Sequence, residues 1–384
     1  MEIYLVGGAV RDKRLGLPVS ECDWVVVGST PGEMLKQGYM PVGKDFPVFL
    51  HPQTKDEYAL ARTERKTGPG YTGFETCADP DITLEQDLLR RDLTINAMAE
   101  TPEGELIDPY GGLDDLENGV LRHVSPAFSE DPVRILRVAR FAARFDHWGF
   151  RVAHETNALM RHMVGAGEVD HLVPERVWAE LVKALAEKTP ARFFDVLYGC
   201  GALAKLFPEV ESLYIATDRP GHGHKDDIFP VLQAAVRLSD DPAIRFAALV
   251  CDTGLGTPAL DRLCERLRAP NAYRELASLA IGHRGQAHGV AELAAGDVLH
   301  LLVALDAFRR PQRFEDFLQV CRADADAHHR DHGGQYPQAE LLRRAYAAAR
   351  EVDTGALAGA GLSGPAIGQA LREQRIKAIE LLLQ

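Results

Sequence analysis

Residues 5–28, LVGGAVRDKRLGLPVSECDWVVVG, decide how the N-terminal part of this chain folds. An apolar run reaches Gly7-Gly8, which can turn sharply because neither residue has a Cβ atom. A short helix is predicted from about Ala9 onward, so that its free backbone N–H groups face whatever lies at the turn. Arg11 adds a fixed positive charge, and the stretch is therefore predicted to seat a triphosphate.

Two acidic residues, Glu21 and Asp23, follow this helix and lead into the apolar run Trp24–Val27. Side chains alternate along a strand, so these two carboxylates are expected to lie on the same face. Adjacent carboxylates repel each other unless a divalent cation lies between them, and opposite a phosphate seat that cation is expected to be Mg²⁺. Glycine turns and acidic pairs are each common, but together at this spacing they indicate nucleotidyl transfer.

Composition limits the possible classes of protein. The chain has 384 residues, of which 46% are hydrophobic, which predicts two to four compact units with sizeable cores. It has no apolar stretch of about 18 residues and no signal-peptide pattern, so no membrane partner is expected. Six scattered cysteines without a CxxC motif indicate free thiols in a reducing cytoplasm. A net charge of −13 means that RNA binding would need a locally basic face.

Strand and helix patterns divide the chain unevenly. Strand signals occur up to about residue 110, whereas helical periodicity dominates from about residue 128. This shift predicts an α+β fold, with a small mixed sheet in an N-terminal head followed by an all-helical remainder. The segment Lys66–Pro80, rich in glycine, proline and threonine, is predicted to be mobile. The predicted strands are Ile3–Val6, Trp24–Val27, Val48–Leu50, Glu57–Thr63, Ile95–Ala99 and Glu105–Ile107.

A second motif, RRDLTINA, occupies residues 90–97. Arg91 can bind a phosphate through two parallel hydrogen bonds, and Asn96 can contact a sugar hydroxyl or brace the loop. Adjacent arginines are usually only a surface feature. A functional role for this motif is therefore supported by the family resemblance described below and not by the arginine pair alone.

A third motif, EDPVRILRVARF, begins a predicted helix at residue 130, with Ser129 as the expected N-terminal cap. Its arginines recur every three or four residues and fall within about a third of the helix circumference. Such a row can be a solvated stripe of ion pairs or one wall of a binding site. The row consists of Arg134, Arg137, Arg140 and Arg144, preceded one turn earlier by Asp131.

The glycine turn followed by an acid-x-acid strand resembles the signature of the polymerase-beta-like nucleotidyltransferases. The motifs GGAVRD, CDWVVVG, RRDLTINA and EDPVRILRVARF resemble those of the class II bacterial tRNA nucleotidyltransferases, the CCA-adding enzymes. The resemblance implies template-independent addition and repair of the 3′-terminal CCA of tRNA from CTP and ATP, with release of pyrophosphate. It implies Glu21 and Asp23 as catalytic Mg²⁺ ligands, with Gly8, Arg11, Arg91, Asp131, Arg134, Arg137 and Arg140 binding nucleotide.

Base selection in this family is carried by the acid and the first arginine of the third motif, here Asp131 and Arg134. Cytosine and adenine each present an amino donor beside a ring acceptor, which a carboxylate and a guanidinium can pair with. Uracil and guanine present a carbonyl instead of the amino group, which leaves the carboxylate unpaired and disfavours them strongly.

The resemblance also implies four regions: a head over residues 1–120, a neck that recognises the base over 121–190, a body over 191–290 and a tRNA-binding tail over 291–384. In the neck, PERVWAE resembles a further family motif in which Arg176 and Glu180 would brace the base-reading helix. An ordinary i,i+4 charge pair explains them equally well. The oligomeric state is left open between monomer and homodimer.

Three features remain open or depart from the family pattern. The third carboxylate of the metal site is either Glu64 or Glu57. Glu21 stands where the family usually has aspartate, and Mg²⁺ tolerates little change in ligand geometry. Many relatives also carry a His-Asp phosphohydrolase site in the body, but here Cys251 replaces the dyad histidine and the upstream position falls near Phe229.

The body is therefore predicted to keep a helical shape without phosphohydrolase activity. His222, His224, His283 and His288 remain, but they match no metal-binding spacing and are read as surface or core residues.

Two other functions fit parts of the sequence. A poly(A) polymerase would share the head, although such proteins tend to carry a long basic extension and this chain is acidic. A tRNA-binding protein with a weakened metal site at Glu21 would bind tRNA without adding nucleotides. A partial enzyme that adds only C or only A also remains open.

Overall fold

The computed structural model describes residues 1–19, 21–42, 48–66, 74–217, 228–328, 335–352 and 364–384, with side chains excluded at 64–66, 74–76, 217 and 364. These residues form two compact units, Met1–Pro208 and Glu209–Gln384. The four regions expected from the sequence remain a prediction.

A mixed sheet of seven strands organises the N-terminal unit, in the order β3-β4-β5-β2-β1-β8-β9. The strands β2 and β5 are parallel, whereas the other neighbours are antiparallel. Two further pairs, β6 with β7 and β10 with β11, lie outside this sheet. The strands are β1 (Glu2–Val6), β2 (Asp23–Val27), β3 (Met40–Val42), β4 (Val48–Leu50), β5 (Glu57–Leu60), β6 (Thr63–Lys66), β7 (Phe74–Cys77), β8 (Ala99–Glu100), β9 (Leu106–Ile107), β10 (Val120–Leu121) and β11 (Arg151–Val152).

Ten helices accompany these strands and form most of the second half of the unit. Helix α5 is almost entirely buried along its apolar face and packs against α7 and α8. The helices are α1 (Gly8–Arg14), α2 (Pro31–Lys36), α3 (Leu84–Leu89), α4 (Gly112–Glu117), α5 (Val133–Phe145), α6 (His154–Gly165), α7 (Pro174–Leu185), α8 (Ala191–Cys200), α9 (Ala202–Leu206) and α10 (Pro208–Thr217), the last of which begins at the division between the units.

The described part of the C-terminal unit is helical. Its helices α11, α12, α14 and α16 pack against one another, and α15, α17 and α18 form a second packed group. The helices are α11 (Pro230–Leu238), α12 (Pro242–Thr253), α13 (Thr257–Leu267), α14 (Asn271–His288), α15 (Ala295–Ala304), α16 (Pro311–His328), α17 (Pro337–Arg350) and α18 (Gly364–Leu383).

The α+β head and helical remainder predicted from the sequence are confirmed, but two predicted strands are wrong in detail. The run Glu57–Thr63 is interrupted after Leu60, because the backbone of Arg62 bonds to side chains of Asp87 and Arg90 instead of a neighbouring strand. The run Ile95–Ala99 is strand only at its last residue. Its first part is a 3₁₀ turn, Thr94–Asn96, that places Asn96 at a buried position.

The predicted cap of the arginine-bearing helix is also wrong. Residues Pro126–Glu130 form a 3₁₀ turn, and Ser129 donates to the carbonyl of Pro126. Helix α5 begins only at Val133, whose backbone N–H donates to Asp131 at 3.1 Å.

The predicted mobile segment Lys66–Pro80 begins at the last residue of β6 and contains β7, and residues 67–73 lie outside the described residues. Across the described ranges, no helix is both long and apolar enough to cross a membrane. All six cysteines are free thiols.

Gly112 provides a test of how tightly the head is packed. A Cβ atom at this position would lie 2.3 Å from the carbonyl oxygen of Thr94, which is fixed backbone. We expect Gly112→Ala to lower the free energy of unfolding by about 2 kcal/mol or more. The matched control is Gly165→Ala, because nothing lies within 4 Å of a Cβ added there. Urea unfolding of both variants measures the difference, and equal stability would contradict the packing described.

Candidate active site

A pocket of about 800 Å³ lies within the N-terminal unit, between the head sheet and helices α5 and α7. It brings together parts of the chain that are far apart in sequence, from β1 to α7. Every site residue predicted from the sequence lines this pocket: Gly8, Arg11, Glu21, Asp23, Arg91, Asp131, Arg134, Arg137 and Arg140.

The pocket is basic although the chain carries a net charge of −13. Ten arginine and lysine side chains and six aspartate and glutamate side chains line it among the described residues. A concave surface with an excess of positive charge concentrates field lines and attracts polyanions. The local field therefore favours a nucleoside triphosphate or an RNA end, whereas the charge of the whole chain does not.

The glycine turn forms one side of the pocket. Gly7 has a φ of 71°, a left-handed conformation that suits glycine, and a Cβ atom there would lie 2.7 Å from Nη1 of Arg91. The backbone N–H of Gly7 donates to the carbonyl of Met98, which fixes the turn against the head. Arg91 can therefore approach the turn closely only because residue 7 lacks a side chain.

The two acidic residues expected to hold metal are exposed at the start of β2. The parallel pairing of β2 with β5 places Glu57 directly beside Asp23, and Glu57 also lines the pocket. The competing candidate, Glu64, has its backbone in the separate β6–β7 pair, and its side chain lies outside the described residues.

A buried carboxylate, Asp92, connects the head to helix α5. It accepts hydrogen bonds from Nε of Arg137 at 2.7 Å, from Nδ2 of Asn96 at 2.9 Å and from the backbone N–H of Leu93 at 2.9 Å. Asn96 in turn accepts a short hydrogen bond from Arg11. Burial alone would raise the pKa of Asp92, but the charge of Arg137 and these hydrogen bonds lower it to about 2. One charged group thus orients arginines from two motifs.

Two more arginines of helix α5 also have acidic partners. Arg140 donates to Glu180 at 2.7 Å, and Arg144 donates to Asp12 at 3.0 Å. These arginines therefore line the wall of the pocket in ion pairs with acids of other elements. The predicted bracing role of Glu180 is consistent with its contact to Arg140.

The predicted base-reading pair is held by other groups in this structure. Both carboxylate oxygens of Asp131 accept from Arg176, at 3.2 and 2.8 Å, which agrees with a bracing role for that residue. Arg134 is buried, and its guanidinium donates to the carbonyls of Ala127 and Arg90. Arg134 therefore contributes fewer available donors than its sequence position suggested.

Sequence reasoning missed several acids that hold the arginines in place, among them Asp12, Asp87 and Asp92. The signal was present, since each of the basic motifs contains or directly follows an aspartate. An acid within a basic run, on an element predicted to be buried, indicates an internal counter-charge.

In the body, the region expected to have lost its phosphohydrolase site is tightly packed. Asp252 accepts the backbone N–H groups of Val231 and Leu232 at 2.9 Å each, while Cys251 and Phe229 are buried. Burial raises the pKa of Cys251 to about 12, so its thiol stays protonated. Nowhere in the described ranges do three or more His, Cys, Asp or Glu side chains form a group that could hold a metal ion.

Of the histidines noted in the sequence, the two that the structure describes, His283 and His288, make separate contacts. His288 contacts Asp324 and Tyr336, and His283 contacts Gln286. His222 and His224 lie outside the described residues.

Comparison with known proteins agrees with this geometry. Residues 3–122 match the family described as the Poly A polymerase head domain, and residues 149–214 match the probable RNA and SrmB-binding site of polymerase A. The mixed sheet and its pocket thus define a polymerase-beta-like nucleotidyltransferase.

A Multifunctional CCA protein from Nitrosococcus oceani is 57% identical to this chain, and the alignment covers 99% of this chain and 98% of the relative. The chain therefore belongs to the family of bacterial CCA-adding enzymes, the CCA tRNA nucleotidyltransferases. Proteins of this family generally use divalent metal ions.

Solved structures confirm the fold. The Thermotoga maritima CCA-adding enzyme complexed with tRNA is similar at a TM-score of 0.66 and 23% identity, covering 99% of this chain and 87% of the other. The Bacillus stearothermophilus CCA-adding enzyme in complex with CTP gives a TM-score of 0.65 and 23% identity, with 99% and 89% covered.

Asp92 allows a test of the buried network by pH. Its pKa of about 2 is below the ordinary value of 3.8, so its contribution to stability is present above about pH 4 and is lost as the pH falls through 2. We expect Asp92→Asn to destabilise the protein by about 2 kcal/mol at pH 6, and this deficit to shrink as the pH is lowered from 4 toward 2. Urea unfolding across this range measures it.

The control is Asp114→Asn, which removes an exposed acid of α4. A deficit of Asp92→Asn that does not change with pH would mean that the carboxylate charge is not what stabilises the site.

Proposed function

We propose that this protein adds and repairs the 3′-terminal CCA of tRNA, using CTP and ATP and releasing pyrophosphate. The observation that carries the proposal is the convergence of the glycine turn, the acidic pair and the arginine row on one basic pocket. Membership of the CCA-adding family, and the CTP and tRNA complexes of similarly folded enzymes, support the same substrates for this chain. Six free thiols favour a cytoplasmic location.

The triphosphate is proposed to lie at the glycine turn. Gly8, Arg11 and Arg91 line that side of the pocket, and Arg137 and Arg140 line it from helix α5. Arg91 is held by an acid while part of its guanidinium remains available, and planar guanidinium groups match phosphate oxygens in pairs. Binding would orient the α-phosphorus toward the acidic pair.

The acidic pair fits a divalent cation, and we propose Mg²⁺. Glu21 and Asp23 are exposed carboxylates at the pocket, and Glu57 lies beside Asp23 in register. Mg²⁺ is typically held by one or two carboxylates together with substrate phosphates, so no cage built wholly from protein is needed. When bound, the cation would lower the pKa of the tRNA 3′-hydroxyl and neutralise charge on the departing pyrophosphate. We favour Glu57 over Glu64 as the third carboxylate because of this register, and its side chain would have to turn toward the pair on metal binding, since these three acids do not form a three-ligand group among the described residues.

Base choice is proposed to depend on Asp131 and Arg134. Each carboxylate oxygen has two lone pairs, so Asp131 can hold Arg176 and still accept from the amino group of cytosine or adenine. The guanidinium of Arg134 has five N–H donors and gives two of them to the backbone carbonyls of Ala127 and Arg90, so pairing with the ring acceptor of the base would use another donor or replace one of these bonds.

The function is tested with tRNA that ends before CCA. Purified protein is incubated with this tRNA, Mg²⁺, CTP and ATP, and the 3′ ends are sequenced. The expected product carries C, C and A in that order, and incubation with CTP alone is expected to add C. No incorporation at any Mg²⁺ concentration would overturn the enzymatic proposal, and addition of A alone would indicate a poly(A) or partial enzyme.

The metal site is tested through its charge. Asp23→Asn is expected to reduce incorporation by about a hundredfold or more, because the cation loses a charged ligand. Glu21→Asp restores the residue usual in the family and should shift the Mg²⁺ dependence while preserving turnover. The control is Asp114→Asn. If Asp23→Asn matches the natural protein in a Mg²⁺ titration, the metal site lies elsewhere.

The base-reading acid is tested by competition between nucleotides. Asp131→Asn replaces an acceptor by an amide that can also donate to a carbonyl, so incorporation of UTP relative to CTP should rise by about tenfold or more. The measurement is the ratio of kcat/KM for the two nucleotides, with Asp114→Asn as the control. An unchanged ratio would remove Asp131 from base selection.

We further propose that the body has no metal-dependent phosphohydrolase activity. Cys251 and Phe229 are the residues at the positions where metal-binding histidines would be needed, and neither a protonated thiol nor a benzyl group is a suitable ligand. Phosphatase turnover with added transition metal would contradict this.

A further inference from the structure

Asp87, on helix α3, lies outside the lining of the pocket but is wholly buried directly behind it. Its Oδ1 atom accepts from Nη2 of Arg90 at 2.6 Å, and its Oδ2 atom accepts from Nη2 of Arg91 at 3.3 Å. Oδ1 also accepts from the backbone N–H of Arg62 at 3.3 Å. One buried carboxylate therefore accepts hydrogen bonds from two adjacent arginine side chains and from the backbone of Arg62.

Arg91 is the arginine that this carboxylate constrains toward the proposed triphosphate seat. Nη2 donates to Asp87. Nη1 lies only 2.7 Å from the position that a Cβ atom on Gly7 would occupy. Nε of Arg91 is buried and has no hydrogen-bond partner among the described residues. Arg91 is thus fixed between an acid and the glycine turn, with donor capacity left over.

Without this acid, the positive charges of Arg90 and Arg91 would repel each other. Arg90 and Arg91 are adjacent, and both line a pocket that already has more cations than acids. Burial alone would raise the pKa of Asp87, but the charges of Arg91 and Arg90 lower it, which means that the carboxylate is ionised in place. A buried cation that loses its counter-charge tends to move toward water.

The same carboxylate also connects to the neighbouring wall. It orients Arg90, whose backbone carbonyl accepts from Arg134 at 2.7 Å. Nε of Arg90 donates to the carbonyl of Arg62 at 3.0 Å, which interrupts the sheet after β5. Asp87 therefore fixes the local backbone as well as the guanidinium groups.

We propose that Asp87 is a positioning residue for nucleotide binding, which holds Arg91 against the glycine turn in the orientation that receives the triphosphate. The proposal rests on the nucleotidyl transfer proposed above. CTP and ATP share the triphosphate and differ in the base, and Arg134 bonds to the Arg90 backbone and not to Asp87. Loss of the Asp87 charge is therefore expected to affect both nucleotides equally and to leave base choice unchanged.

The first test is Asp87→Asn, which keeps the shape of the side chain and removes its charge. The KM values for CTP and for ATP should each rise about tenfold, with a smaller change in kcat and an unchanged ratio of UTP to CTP incorporation. Calorimetric titration with CTP should show the same loss of affinity. Unchanged KM and affinity in a folded variant would overturn the proposal.

The matched control is Asp115→Asn. Asp115 is also a buried acid that bonds to an arginine, Arg122, and to Thr94, but it does not line the pocket. This variant should lose thermal stability while keeping its KM values. If both variants raise KM equally, Asp87 acts only through general destabilisation of the head, and the proposal fails.

A double-mutant cycle separates positioning from direct effects. If Asp87 acts through Arg91, combining Asp87→Asn with Arg91→Lys should raise KM no more than the larger single change. Independent, multiplied effects would contradict the mechanism. Should Asp87→Asn fail to fold, Asp87→Glu keeps the charge but displaces it by one methylene, and it must still raise both KM values.

The outcomes for the natural protein keep the two proposals distinct. Binding of CTP without incorporation would end the proposed function, while the titrations would still decide the role of Asp87. Incorporation by the natural protein with no change in Asp87→Asn would end the role of Asp87 alone. Absence of CTP binding would end both.

Discussion

The pocket depends on acids buried among arginines. Guanidinium groups can be concentrated at a phosphate site only if something offsets their mutual repulsion before substrate arrives. Asp92, in the head, supplies this counter-charge. It accepts a hydrogen bond directly from Arg137 of helix α5 and contacts Arg11 through Asn96. The nucleotide would then meet a charged surface whose geometry is already set, which lowers the cost of ordering side chains on binding.

Internal counter-charges also explain how an acidic chain can bind a polyanion. Most of the chain's negative charge lies elsewhere, while three of the acids that line the pocket, Asp92, Asp131 and Glu180, are paired with arginines. Asp12 with Arg144 and Glu180 with Arg140 follow the same arrangement as Asp92 with Arg137. The net charge of a sequence therefore says little about a site whose acids are committed to internal partners.

Local patterns predicted much of the fold and the composition of the site. The glycine turn, the acid-x-acid strand and the helical spacing of the arginines each reflect backbone geometry that nearby residues determine. Their convergence on one pocket depends on sheet order and helix packing, which the motifs predicted only through family resemblance. The error at residues 57–63 arose where the side chain of a distant residue, Asp87, bonds to the backbone of Arg62. The error at residues 95–99 arose where Asp92, four residues earlier, holds the side chain of Asn96 in a 3₁₀ turn.

Side-chain commitments were the least predictable part. Arg134 lines the pocket as expected, but its guanidinium donates to two backbone carbonyls. Asp131 accepts hydrogen bonds from Arg176, which lies on another helix. Spacing along one helix cannot reveal such partners, because they come from elements that meet only in the folded chain. The register of β2 and β5, which places Glu57 beside Asp23, is likewise a property of the sheet and not of either strand.

The most direct measurement is a crystal structure of this protein with a non-hydrolysable CTP analogue and Mn²⁺, with the ion located by its anomalous scattering. The account predicts the triphosphate against Gly8, Arg11 and Arg91, Mn²⁺ at Glu21 and Asp23, and the Asp92–Arg137 pair intact. A triphosphate bound away from the glycine turn, or Mn²⁺ coordinated without either acid, would contradict it.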